Sequence, residues 1–183
     1  STHQTMYYRW VERAWLAGLR LLTQLATGNS VLCELITGIG SQDVRYDCND
    51  MVSVDRSIAE TRNLERYIDA QAGGPGKGWF RVVESPEEAR QVIAQGKMAL
   101  VLGIEISNLF DCFSTPKEGF AACTPDSVRA SLDHYQGLGV QVVFPVHKYD
   151  NAFSSGDGSG GIIELGNLIN SGHYTNFVED CPG

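Results

Sequence analysis

No stretch of this chain approaches the roughly 20 consecutive apolar residues that a membrane-spanning helix requires, and its longest apolar runs, such as Met98 to Ile106, have the length of a strand. No transmembrane segment is expected. Basic residues are also scarce: 14 Lys and Arg face 22 Asp and Glu, for a net charge of −8 over 183 residues. A phosphate-binding surface needs clustered Lys and Arg, so nucleic acid is excluded as an expected partner. No two cysteines form the Cys-x-x-Cys pair of a zinc ribbon or redox motif, which argues against metal binding by thiolates. The start carries no basic and apolar leader, so any export signal is expected to have been removed or to lie outside this segment.

What is present is an ordinary globular composition, 43% hydrophobic and 20% charged, with enough apolar material for one sizeable core. Residues 1–183 are expected to form a single domain, since no linker divides them. Five cysteines punctuate the chain. Cys33 and Cys48 bracket one loop containing Gly38, Gly40 and Asp43, and Cys112 and Cys123 bracket another containing Pro116 and Gly119. Disulfides closing both loops fit this arrangement, and such staples persist in oxidising compartments, so a secreted or periplasmic protein is expected. The alternative is free core thiols in a cytosolic enzyme. Cys181 is then the odd one, with its partner expected beyond Gly183.

Helical and strand patterns alternate along the chain. Tyr7, Trp10, Val11, Ala14 and Trp15 keep to one helical face. Residues 19–26 read as a buried strand, although their spacing also suits a continued helix; the polar turn Thr27 to Ser30 is expected to close it, with a short helix following to Ile36. From Met51 to Ala72 apolar or small residues recur at three and four, the stripe of a long amphipathic helix, and the cluster Gly73-Gly74-Pro75-Gly76 stops it. Residues 79–83 form a strand-length run. Ser85-Pro86-Glu87-Glu88 then supplies an N-cap serine, a proline in the first turn and a glutamate at N3, the pattern of a capping box. That helix is expected to run to about Gln95, with Gly96 capping it before the strand 98–104. Thr124-Pro125-Asp126 opens a further helix through Val128, Leu132, Tyr135 and Leu138, and residues 140–144 form another buried strand that ends at Pro145. The Gly/Ser-rich residues 154–161 are expected to be a mobile loop. Strands that are near-continuously apolar and alternate with helices predict an α/β fold with a parallel sheet buried on both faces.

In parallel α/β barrels chemistry gathers where the strands end, because those ends and their loops converge on one mouth. Two polar residues qualify: Glu105 follows the strand 98–104, and His147 follows 140–146. A carboxylate there can bridge two divalent cations, and an imidazole can bind a metal or steady an oxyanion. Each residue has a plainer alternative, a solvated charge for Glu105 and a satisfied core side chain for His147. The other histidines offer less. His3 precedes the first pattern, His134 flanks the apolar stripe of its helix, and His173 follows a short helix where it could line the mouth or merely add loop polarity.

The run Gln95-Gly96-Lys97-Met98-Ala99-Leu100-Val101-Leu102-Gly103-Ile104-Glu105 resembles the membrane (renal) dipeptidase family, in which gly-lys, an apolar strand and gly-[val/ile]-glu deliver a carboxylate that bridges two zinc ions. Tyr135-Gln136-Gly137-Leu138-Gly139-Val140 through Val146-His147 is similar to that family's strand ending in a histidine that contacts substrate and steadies the tetrahedral intermediate. Asn151-Ala152-Phe153 stands where the family carries an asparagine, small and aromatic cluster. The resemblance spans residues 52–165, roughly three fifths of the chain. The chain departs from the pattern in three ways: no his-x-asp pair or further metal-binding histidines can be assigned, residues are inserted after Cys112, and Gln141 replaces a basic residue.

The resemblance implies a parallel barrel of TIM type, of which about four βα units are legible, where a complete eightfold barrel takes about 250 residues. The segment is therefore expected to be an inner part of such a barrel, its open edges covered by the remainder of the protein or another chain. The implied function is metal-dependent hydrolysis of a small amide or peptide. Zinc is the implied cofactor, Glu105 a metal ligand and catalytic residue, His147 catalytic, and Asp150 and Asn151 substrate-orienting, with the binuclear site completed outside the segment. A second class remains open, a catalytically inactive, secreted binding or assembly subunit derived from the barrel. A glycosidase pairing Glu105 with Asp111 or Asp150 is a third.

Overall fold

A computed structural model describes residues 7–38, 47–156, 158 and 160–175; His3 and Cys181 lie outside them. In chain order the elements are α1 (Tyr8–Leu16), β1 (Leu21–Gly28), α2 (Ser30–Gly38), α3 (Asp50–Gln71), β2 (Phe80–Val83), α4 (Pro86–Ala94), β3 (Met98–Ile106), a 3-10 turn (Leu109–Asp111), α5 (Pro125–Gly137), β4 (Val140–Phe144) and α6 (Ile162–Ser171). The fold is α/β, and every strand pairing in its sheet is parallel.

β3 is the hub. β1 pairs with it from Ala99 to Ile106, which occupies one edge. The other edge is divided between β2, opposite Met98 to Val101, and β4, opposite Leu102 to Glu105. Thus β1, β3 and β4 run side by side in chain order, with β2 wedged against the start of β3. Among the described residues the sheet is open, since β1 and β4 each pair with β3 alone.

Local chemistry explains the helices that frame this sheet. Asn49 caps α3 by accepting a hydrogen bond from the Val52 amide at 2.9 Å, and the stripe Met51, Val54, Ile58, Thr61 and Ile68 is buried as the period requires. Ser85 caps α4 by accepting from the Glu88 amide at 3.1 Å. Glu88, however, reaches back to the amide of Glu84 rather than of Ser85, so only half of the expected box forms. Thr124 and Ser127 satisfy each other reciprocally at the start of α5.

The main core lies on one face of the sheet. Met98, Leu100, Leu102, Ile104 and Ile106 point to the same side of β3 and pack with Val54, Ile58 and Ile68 of α3 and with Phe80, Val82, Tyr135 and Val140. A smaller cluster on the other face joins Ala99 of β3 to Val83 and to Val92 of α4. β4 departs from expectation: Val140 is buried, but residues 141–144 are exposed. The reason is geometric, because neither the outer edge of β4 nor the face it shares with Glu105 is covered by a described element. β1 also begins and ends later than expected, since Thr27 and Gly28 still pair with Glu105 and Ile106.

Both loop disulfides are formed, Cys33 with Cys48 and Cys112 with Cys123. They close the chain where it leaves β1 and β3, at the end of the sheet where the strands terminate. No described helix is long and apolar enough to cross a membrane.

Candidate functional site

Glu105 is the penultimate residue of β3, half-buried, and flanked in register by Thr27 of β1 and Phe144 of β4. It projects from the face opposite the main core, the one shared with Ala99, Val101 and Gly103. A Cβ at Gly103 would come within 2.5 Å of the Leu25 side chain and 3.2 Å of the Val142 carbonyl oxygen. Glycine there lets the neighbouring strands close in beneath the carboxylate.

His147 lies three residues beyond Phe144, so the parallel register brings it to the same end of the sheet as Glu105. It is half-buried, and its Nδ1 is shielded from solvent without a hydrogen bond. The two strand exits are stitched together. The Lys148 amide donates to Ser107 Oγ at 3.1 Å, and Asn151 Nδ2 donates to the carbonyls of Ser107 and Pro145 at 2.8 and 2.7 Å. Glu105 and His147 therefore leave adjacent strands on a braced rim.

Asp150 and Asn151 build that brace. Asn151 Oδ1 accepts from the amides of Phe153 and Ser154, so every polar atom of its side chain is spent on the loop. Asp150 accepts from the Gly156 amide at 2.7 Å and from Asn167 Nδ2 at 3.1 Å, with His173 Nδ1 a further 3.8 Å from its carboxylate. His134 is exposed on α5 beside Tyr135.

A buried polar network that sequence reasoning did not anticipate extends from this rim. Asn108 Nδ2 donates to Asp50 Oδ2 and to Asn170 Oδ1, both at 2.9 Å, and Asn170 Nδ2 returns a bond to Asn108 Oδ1. Through Ser171, whose hydroxyl donates to the Asp150 carbonyl at 2.8 Å, the network reaches the loop after β4. The available signal was the spacing of Asn167, Asn170 and Ser171, which share one face of the short helix α6. Burial pushes the Asp50 carboxyl above the usual carboxylate range, opposed by hydrogen bonds from Asn108. Its Oδ1 is buried and makes no hydrogen bond.

Next to Asp50 stands Asp111, also pushed up by burial, against the Asn49 side-chain amide and the charge of Lys117. Phe110 and Asp111 both adopt φ of 56°, a left-handed conformation that side chains other than glycine rarely take. The turn thereby stacks Phe110 on Tyr135 while the Asp111 carboxylate accepts from Asn49 Nδ2 at 2.7 Å.

A carboxylate and an imidazole at neighbouring strand ends can exchange protons with a substrate or steady a developing oxyanion. Among the described residues no three His, Cys, Asp or Glu side chains converge as metal ligands. Glu105 and His147 alone do not fit a binuclear zinc centre, which takes several protein donors per ion. Compared with family models, curated proteins and solved structures, the chain matches none.

Proposed function

We propose that this chain supplies part of the active-site rim of a metal-dependent hydrolase of small amide or peptide substrates, resembling the membrane dipeptidase family. The observation that carries this reading is the emergence of Glu105 and His147 from adjacent parallel strands at one end of the sheet. His147 Nδ1 is buried, and the described residues give it no hydrogen-bond partner, which leaves it available to a further group. Buried polar atoms without a partner are few in folded proteins.

Part of the sheet is open to further strands. Val142 and Phe144 are exposed beside Gly103 at the strand ends, while α4 covers the same face farther down, at Ala99. In this proposal the sheet is an inner part of a (β/α) barrel of TIM type, with remaining strands and zinc ligands outside the described residues. Glu105 would be one ligand of the metal, which would polarise the scissile carbonyl, His147 would steady the oxyanion, and Asp150 and Asn151 would set the shape of the mouth through the loop they brace. The two disulfides support a secreted or periplasmic location.

The test measures metal content and dipeptide hydrolysis of the protein containing this segment. Glu105→Gln is expected to lose bound metal and at least about 100-fold in rate, whereas His147→Asn is expected to keep the metal and lose roughly 10²–10³-fold in rate. Unchanged metal loading in Glu105→Gln would remove Glu105 from the centre and end this reading. A second reading, an inactive binding or assembly subunit, draws on Ile162, Leu165 and Ile169 of α6, an apolar stripe that the described residues leave exposed, of the kind that marks interfaces. The same assay separates the two, since that subunit would hold no metal and hydrolyse nothing.

A further inference from the structure

Helix α1 turns two different faces to its surroundings. Tyr8, Val11 and Trp15 pack against the main core. Trp10, Arg13 and Leu16 recur at every third position on the opposite face, where Trp10 is 52% and Leu16 69% exposed. Scattered apolar side chains on a surface need no explanation. These two stand beside a concentration of positive charge.

The helix is docked where the strands begin, at the end of the sheet away from Glu105 and His147. Trp15 Nε1 donates to the Gly96 carbonyl at 2.8 Å, and its ring stacks on that of Trp79 with centroids 5.2 Å apart. Lys97 Nζ donates to the Gly76 carbonyl at 2.6 Å, which ties together the turns that precede β2 and β3. Residues 8–20, 72–79 and 95–97 thus meet at one end, and they contain five basic side chains, Arg9, Arg13, Arg20, Lys77 and Lys97, against one carboxylate, Glu12. Arg9, Arg13 and Lys77 are exposed, and Arg20 and Lys97 half-buried. Glu12 is paired with Arg9 at 2.6 Å. The neighbouring Asp69 is buried and spent on the Gly76 and Gly78 amides and on Arg81. Dispersed along the sequence, the basic residues are collected only by the fold.

We propose that this end of the molecule docks on an anionic lipid bilayer, with Trp10 and Leu16 entering the interface and the five basic side chains meeting the headgroups. The strand ends that bear Glu105 and His147 then face the water. Aromatic and aliphatic side chains framed by basic ones are the composition of helices that lie in the plane of a membrane surface, and clustered Lys and Arg add the attraction of an anionic leaflet. The chain as a whole carries −8, but exposed charges are screened beyond about 10 Å, so the basic end approaches such a surface while the acidic remainder points away. A soluble polyanion would use the charges and leave Trp10 and Leu16 idle, and this apolar pair decides for the bilayer. The inference does not depend on the role given to Glu105 and His147.

Flotation of the full chain with vesicles of phosphatidylcholine and phosphatidylserine in equal parts, against vesicles of phosphatidylcholine alone, tests it. Binding to the mixed vesicles only is expected, weakened by high salt and accompanied by a blue shift of tryptophan emission that Trp10→Ala diminishes. Trp10→Ala should weaken binding about tenfold, Arg13→Gln about fivefold, and Arg129→Gln, on α5, should leave it unchanged. Near-ultraviolet circular dichroism establishes that each variant is folded; if Trp10→Ala is not, Leu16→Ser carries the apolar half of the test. Absence of binding to the mixed vesicles, equal binding to both kinds, or wild-type binding in folded Trp10→Ala or Arg13→Gln would overturn the proposal. Binding of soluble polyglutamate in place of the vesicles would overturn it too and assign this end to an acidic protein partner.

Discussion

The two faces of β3 obey opposite rules. On one, Met98, Leu100, Leu102, Ile104 and Ile106 are sealed under α3 and α5, and the side chains interdigitate with a continuous apolar core. On the other, Ala99 is sealed by α4, but toward the strand ends the face opens around Glu105, with Phe144 half exposed at 50%. The covered face is held by packing. The open end is held by two disulfides and by asparagines that bond backbone to backbone across loops. Where the described residues leave a sheet end exposed, burial contributes little, and covalent links and polar bridges hold the chain instead.

The strongest way to break this comparison is to empty one side chain on each face. Ile104→Ala is expected to cost about 2–5 kcal/mol, as truncations in sealed cores do. Phe144→Ala should cost about 1 kcal/mol or less, as for exposed positions. Urea unfolding of the two variants measures both, and a Phe144 penalty equal to that of Ile104 would mean that the second face is covered in solution. Next in size is the staple at the rim: Cys33→Ser with Cys48→Ser opens a link across 15 residues and should cost about 3 kcal/mol on chain-entropy grounds. A thermal melt showing no loss would move the stability of that end to its polar network.

The smallest effect separates two buried aspartates by the sign of their pH dependence. Asp69, despite its burial, is held below the usual carboxylate range by the Gly76 and Gly78 amides and by Arg81. Its contribution is present above the ordinary carboxylate pKa and is lost as pH falls through the depressed value. Asp50 is pushed up by burial, so the folded state favours its protonated form. That contribution is complete below the ordinary carboxylate pKa and is lost as pH rises through the raised value. Around Asp50 the titrating and charged neighbours are Glu34, Asp47, Asp111, Lys117 and Arg56. Asp69→Asn should therefore destabilise the protein at neutral pH by about 1–3 kcal/mol, and Asp50→Asn should be neutral or stabilising there. Unfolding free energies between about pH 3 and pH 7 check both signs.

Much of the frame was legible in the amino-acid order, and particular residues show why. The stripe from Met51 to Ile68 keeps one period along a helix of 22 residues, so no other element type accommodates it. Ser85-Pro86 and Thr124-Pro125 mark helix starts through backbone amides that only those side chains can satisfy. The limits of β1 were less legible because Leu19 to Ala26 suits a strand or a helix, and pairing with β3 extended it to Gly28. Glu105 and His147 were legible as strand-end residues. Asp50, Asn108 and Asn170 were not, since each is a polar residue next to a turn or on a short helix, indistinguishable from a solvated one until the chain folds.

The sequence by itself determined the periodicities, the caps, the α/β class, and the two cysteine pairs, because each follows from interactions among residues close along the chain. Only the tertiary structure decided that β2 and β4 share one edge of β3, that the face bearing Glu105 stays open, and that Asp50 and Asp111 meet at one cavity. Those outcomes depend on which distant surfaces bury one another, and burial is a property of the assembled layers rather than of any local run of residues.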